Sequence, residues 1–463
     1  MENKLFIDPV EIRISSGPVS NEVKEKINAS VPPNSPPMIV PADLKTTGLN
    51  KGYTMVPLPA FVYNRNEGSW IGGLTPIFRA NEQGEVDNIY APLYLHNKYI
   101  GETFTFNYFG YRHTTEQFHL ILSYATKFEH QFEFGYKNTR ALDGDYIFGV
   151  DAFTNKSAFH RFFGFGNTSQ NSFETQHTFR ESVFKLTGGI HVSDKVQLLA
   201  ETRYRGVQLE HGASPTLPQT QDVFPDVPGV SDSPDVVGNG LTLAYDTRDN
   251  ELTPLKGTYA TMFAEYDQNV QFGDHNRWWR LTGEARRYIP YDDWGFQGVF
   301  VIHGLADAVV GQDENTATQD TFEQSNGQVD GLGNPIFEPV AAKRALRTGV
   351  PFYERPTIGG EDSMRGFGKY RYVDNLAYTL NFENRITLLQ RTVMGNLIEL
   401  EMAPFVDIGR VGRTIRNEHW FRRAQVNPGC GFRVIARPNI AARLDVGYGK
   451  DGANAFVGLD YPF

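Results

Sequence analysis

The chain has 463 residues, 40% of them hydrophobic and 13% aromatic, with a formal net charge of −10 and no Lys/Arg block, which argues against nucleic acid as a partner. No window offers ~18 consecutive apolar residues, so a helical membrane span is excluded. The lone Cys430 excludes a disulfide framework and a multi-Cys zinc site, while 34 Phe, 22 Tyr and 45 Gly fit a large all-β protein whose aromatics form interfacial girdles.

The opening residues, MENKLFIDPVEIRISSG, lack the charged-then-apolar pattern of a secretory signal; an exported protein with this start would be in its mature form. Residues 1–55 are rich in proline, with VPPNSPPMIVPADLKTTG reading as an extended linker. This N-terminal extension is expected to be a tail, a plug or a docking segment, distinct from the domain spanning 56–463.

From Tyr53 onward the apolar period becomes two. Phe104, Phe106 and Tyr108 alternate with Thr103, Thr105 and Asn107, and Ala442, Leu444, Val446 and Tyr448 alternate with Arg443, Asp445 and Gly447. Strict alternation argues strands with one apolar and one polar face. The candidate strands are longer than the ~5–6 residues usual in soluble proteins. Their connections alternate between tight (Asn250 to Lys256) and very long (His211 to Asn239, Gln312 to Thr357), the asymmetry of outer-membrane barrels. Sixteen strands are expected, near 68–79, 88–98, 101–112, 116–127, 130–140, 177–192, 195–210, 238–248, 257–270, 275–290, 294–310, 369–388, 396–411, 427–437, 439–449 and 454–463. Residues 57–65 are a seventeenth or a lead-in. An even antiparallel count closes without a free edge in lipid. The fold class is an all-β, membrane-spanning antiparallel β-barrel with a long loop folded into its lumen.

That loop carries PTIGGEDSMRGF (356–367). Together with PAFVYNRNEGSWIGG, FFGFGN (162–167), YDTRDNELTPLKG (245–257), PFVDIG (404–409) and the aromatic end NAFVGLDYPF, it makes residues 57–463 resemble the BamA/TamA-type superfamily of outer-membrane assembly and translocation barrels. The resemblance implies that the tip Met364-Arg365-Gly366-Phe367 folds into the lumen, with Met364 standing where Val or Ile is usual. Alternation places Glu383, Phe405 and Asp407 on the inward face, where an arginine docks by charge-assisted hydrogen bonds and a cation–π contact. Members of this superfamily usually carry periplasmic POTRA modules; the Pro-rich 1–55 segment shows no such pattern, so a barrel-only member is expected.

A weak seam is expected between the first strand, SWIGGLTPIF with Gly72, Gly73 and Pro76, and the last, with Gly458, Tyr461 and Phe463, because Gly and Pro weaken ladder bonds. Opening there would let a client strand pair by β-augmentation, with the pinned tip stiffening the opposite wall. Asp246, Asp249 and Asn250 of the YDTRDN turn suit a self-bonded turn better than a metal site. No HExxH, GxSxG or phosphate-cradling loop appears, so no metal, cofactor or catalytic activity is expected. The expected partners are outer-membrane lipids, client outer-membrane proteins, and a periplasmic or surface partner docking on 1–55 or the long loops. Two other roles stay open: a gated pore or transporter, and a structural scaffold barrel.

Overall fold

A computed structural model of the chain describes residues 52–463, except 56, 65, 83–85, 114, 145, 251–252, 271–275, 294–295, 312–314, 330, 332–334, 348, 394–395, 415–422, 437–439 and 459–460. The extension, up to residue 51, lies outside the described residues. The strands are β1 (Gly52–Met55), β2 (Leu58–Asn64), β3 (Gly68–Leu74), β4 (Ile77–Ala80), β5 (Val86–Asn97), β6 (Gly101–His113), β7 (Glu116–Ala125), β8 (His130–Ala141), β9 (Tyr146–Phe162), β10 (Thr175–Ser193), β11 (Val196–Glu210) and β12 (Val236–Asp246). They continue as β13 (Gly257–Asn269), β14 (Arg277–Asp293), β15 (Phe296–Gly311), β16 (Asn315–Val329), β17 (Pro335–Arg347), β18 (Thr357–Ile358), β19 (Tyr372–Val373), β20 (Leu376–Val393), β21 (Asn396–Gly412), β22 (Gln425–Ala436), β23 (Ile440–Gly449) and β24 (Gly452–Gly458).

Twenty of these form one antiparallel sheet in which successive strand paths pair, β15 pairing directly with β20. β1 and β2 together face β4 and β3, and β3 and β4 both pair with β5. Each of these couples is one strand path with a break, so the twenty strands make eighteen paths (twenty less two). The sheet departs from the expected sixteen strands at two places. Gly52–Asn64 precedes SWIGGL in the sheet, so residues 57–65, left open as a seventeenth strand or a lead-in, lie on a strand path. β9 is seventeen residues long, but apolar side chains fall on both of its faces, Ile147 and Phe153 on the inner one and Tyr146 and Phe148 on the outer, and hide its period.

The alternation has the polarity of a membrane barrel. Leu241 and Met262 are 58% and 70% exposed on the outer face, whereas Arg205, Glu265 and Asp267 are buried on the inner one. No helix among the described residues is long and apolar enough to cross a membrane. The long loop divides into two parts. β16 and β17 form a two-stranded sheet of their own, and residues 349–375 form a strap that lies against the inner face. At the long-loop end Phe352 and Tyr353 of the strap pack with Phe162 and Phe179 and with Phe224 and Val227 of the 211–235 loop, burying an aromatic cluster beneath that loop.

Candidate functional site: a strap pinned to the inner face

The strap reaches its seat through tight local turns. Gly359 and Gly360 have φ of +117° and +104°, a region open to glycine at little cost. The N–H of Gly360 then donates to Phe367 O (3.1 Å), closing the tip on itself. Met364 and Phe367 are buried with Ile358, Tyr372, Ala377 and Val411. This apolar packing holds the tip down and aims Arg365 away from solvent.

Arg365 is fully buried. Its backbone N–H and Nε donate to Asp407 Oδ2 (3.0 and 3.1 Å), its Nη2 to Asp407 Oδ1 (2.8 Å) and its Nη1 to Glu383 Oε2 (2.6 Å). The guanidinium lies 3.4 Å from the centre of the Phe405 ring. A side-on fork to one carboxylate, a second carboxylate and an aromatic face are the strong forms of arginine recognition. Burial opposes the charge, but the Asp407 and Glu383 carboxylates more than offset it and hold Arg365 above its ordinary range.

The surrounding network is larger than Arg365 and the three residues, Glu383, Phe405 and Asp407, that alternation places opposite it. Glu383 also accepts from Arg385 (2.8 Å) and Arg433 (2.8 Å). Asp445 accepts from Arg433 (3.2 Å) and Arg443 (2.9 Å). Asn381 and Asn427 complete Asp407, and Asn454 donates to Gly366 O (2.9 Å). These residues sit on inward positions of β20–β24, so alternation alone could have flagged Arg433, Arg443 and Asp445. Missing side chains make the room. A Cβ on Gly447 would lie 2.6 Å from the Arg365 carbonyl, and one on Gly449 2.6 Å from Gly366 O.

A second anchor holds the other end of the strap. Glu354, on a single 3-10 turn at Phe352–Glu354, accepts from Arg203 (3.3 Å), Arg205 (2.9 Å) and Arg280 (2.6 Å). Those arginines also serve their own wall: Arg203 and Arg280 bond Glu265, and Arg205 bonds Glu181. Burial would raise the Glu354 carboxyl, but the three guanidiniums win and hold it below the carboxylate range. A carboxyl held below its ordinary value of 4.5 stabilises the fold above that pH, and the contribution disappears as pH falls through the depressed folded value. Protease protection of residues 350–356 is therefore expected to be the same at pH 8 and pH 5 and to fail only well below 4.5. The check is digestion with an acid-tolerant protease across that range.

Elsewhere the strap is held by Arg371, which bonds Asp451 (2.6 Å) and Ser169 (3.0 Å). Ser169 lies just beyond the FFGFGN stretch.

The seam residues lie elsewhere than the sequence reading puts them. Gly72 and Gly73 are internal to the sheet, Gly72 pairing with Ala60 on one side and Leu95 on the other. Pro76 lies at the break between β3 and β4. Gly458 ends β24 opposite Arg443. Tyr461 and Phe463 leave the sheet for the inner face. Tyr461 donates to Glu401 (2.9 Å) beneath Arg385, and Phe463 stacks on His303 (4.7 Å) with Arg365 5.2 Å from its ring. The edge strands are β2 and β24, which lie alongside with Cα atoms within 8 Å. Among the described residues no ladder joins them. The tip also seats on β20–β24, the wall that runs into the last strand, and not on the wall opposite the edge.

An apolar exterior, a polar interior and a buried, arginine-pinned strap define a plugged membrane β-barrel. The chain belongs to the Omp85 superfamily, whose domain model matches residues 107–451. The protein is thus an outer-membrane barrel of the Gram-negative type, in a family of non-enzymatic assembly and translocation factors. Its fold is similar to BamA from Haemophilus ducreyi lacking POTRA domains 1-3, at 12% identity over 89% of this chain and 71% of that one, with a TM-score of 0.49. It is also similar to CdiB from Acinetobacter baumannii (12% identity, 89% and 60% coverage, TM-score 0.41) and CdiB from Escherichia coli (10%, 88% and 62%, 0.43). The chain thus spans about three-fifths of each CdiB chain. No curated protein sequence matches it.

Proposed function

We propose that this barrel assists the insertion of outer-membrane client proteins through a lateral seam between β2 and β24. The observation that carries the reading is the pair of edge strands that adjoin, among the described residues, without a ladder. β24 is only seven residues long, and residues 461–463 turn inward instead of extending the edge. Unpaired backbone groups in lipid each cost several kcal/mol, so an incoming strand that satisfies them binds by β-augmentation. The client's own burial in the bilayer supplies the driving force, and no nucleotide is required. The strap supports this reading over a wide pore, because it occupies the inner face that a solute path would need. Residues 1–55 and the long loops are the segments on which a periplasmic or surface partner would dock.

The test is assisted folding. Protein in liposomes is given an unfolded outer-membrane barrel, and the client's folding rate is compared with that in empty liposomes. Acceleration is expected, and a disulfide joining the β2 and β24 edges should abolish it. Equal rates with and without the protein would sink the proposal.

A further inference from the structure

The two anchors of the strap differ in what their release would leave behind. Among the described residues Arg365 is the only cation bonded to Asp407, whose remaining donors are the neutral Asn381 and Asn427. Withdrawing the tip would strand a buried carboxylate. Glu354 leaves no uncompensated charge: Arg203, Arg205 and Arg280 keep Glu181, Glu265 and Asp267, three carboxylates for three guanidiniums, while the bonds of Arg205 to Tyr353 O and of Arg280 to Glu354 O pass to water. The wall stays neutral without Glu354, and a released Glu354 is hydrated.

The residues that would move with Glu354 already belong to a common body. Phe352 N–H donates to Pro228 O (2.9 Å) and Tyr353 Oη to Pro234 O (3.3 Å). A Cβ on Gly229 would touch the Tyr353 ring at 2.6 Å. Phe352 and Tyr353 are therefore bonded to the 211–235 loop as well as packed on the strands beneath. Arg355 holds Val350 O through Nε and Nη2 (3.2 and 2.9 Å) and also bonds Asn375. It stands at the junction between this body and the rest of the strap.

We propose that residues 351–354 and the 211–235 loop form a lid that lifts at the Glu354 anchor while Arg365 stays docked. Opening pivots at Arg355 and uncovers the inner wall of β10–β14. It leaves the β20–β24 wall and the tip in place. The inference rests on the anchoring geometry and is independent of the seam reading.

Glu354→Gln keeps the shape of the anchor and removes its charge. In this variant, reconstituted in liposomes, chymotrypsin should cut after Phe352 or Tyr353 about tenfold faster than in the wild type, because local opening becomes more populated. Trypsin should still fail to cut after Arg365, with fragments identified by mass spectrometry. Hydrogen exchange on the unmodified protein provides the second arm. The amides of Phe352 and Glu354 should exchange faster than those of Arg365 and Phe367. Unchanged chymotryptic protection in Glu354→Gln would overturn the proposal. So would simultaneous exposure of Arg365, since the strap would then leave as one piece. Equal exchange at the two ends in the wild type would overturn it even if the variant failed to fold.

Discussion

Arg365→Ala is expected to lower the stability of the folded barrel by about 3–5 kcal/mol, the range for removing one partner of a buried ion pair. Without Arg365, Glu383 keeps Arg385 and Arg433, but Asp407 is left among neutral amides, with no other cation bonded to it among the described residues. The loss of the contact with Phe405 adds to this. Arg365→Lys should recover only part of the difference, because an ammonium cannot form the fork to Asp407 while reaching Glu383. Urea titration of the reconstituted protein reads the loss, and tryptic cleavage at Lys369 or Arg371 reads the freed tip. A variant with wild-type urea resistance and an uncut strap would contradict the account of the dock.

The second large effect belongs to a residue without a side chain. Gly447→Ala places a methyl group 2.6 Å from the carbonyl carbon and oxygen of Arg365. Both are backbone atoms, so no rotamer change relieves the clash. The tip must back out of its seat or β23 must shift, at a cost of about 1–3 kcal/mol from overpacking alone. Displacement of Arg365 from Asp407 would add to it. Gly283→Ala is the matched control: it also sits within a strand of the sheet, yet its added methyl meets nothing within 4 Å. The expected result is a protease-sensitive tip in Gly447→Ala and a wild-type digest in Gly283→Ala. If the two digests match, the seat is not as close as described.

The parts of this site that could be read from the sequence share one property: they lie on long, regular strands. Tyr378, Leu380 and Phe382 fix the outward parity of β20, and Glu383 then has to face inward. The same logic places Phe405 and Asp407 on β21. Where alternation stops, the reading stops with it. Glu354 lies between Pro351 and Pro356 in an aperiodic stretch, and nothing local marks it as the shared partner of arginines about 75 to 150 positions earlier in the chain. The edge of the sheet is hard to read for a related reason. Proline leaves 57–65 open between a strand and a lead-in, yet Pro59 is tolerable in β2 because the first strand needs donors on only one side. Phe463 shows the limit of pattern alone, since an aromatic in step with its strand gives no sign that the backbone will bend inward.

The glycine-lined seat also bears on the order in which the protein comes together. Gly447, Gly449 and Asp445 lie about eighty residues after Arg365 in the chain, so the tip is synthesised before the surface that receives it. Until β23 and β24 have paired, Arg365 has no Asp445 beside it and no groove of bare backbone to enter. Seating the strap is consequently a late event in maturation, and non-local contacts of this kind form slowly. Kinetic traps for this barrel should therefore be species with a complete sheet and an unseated tip.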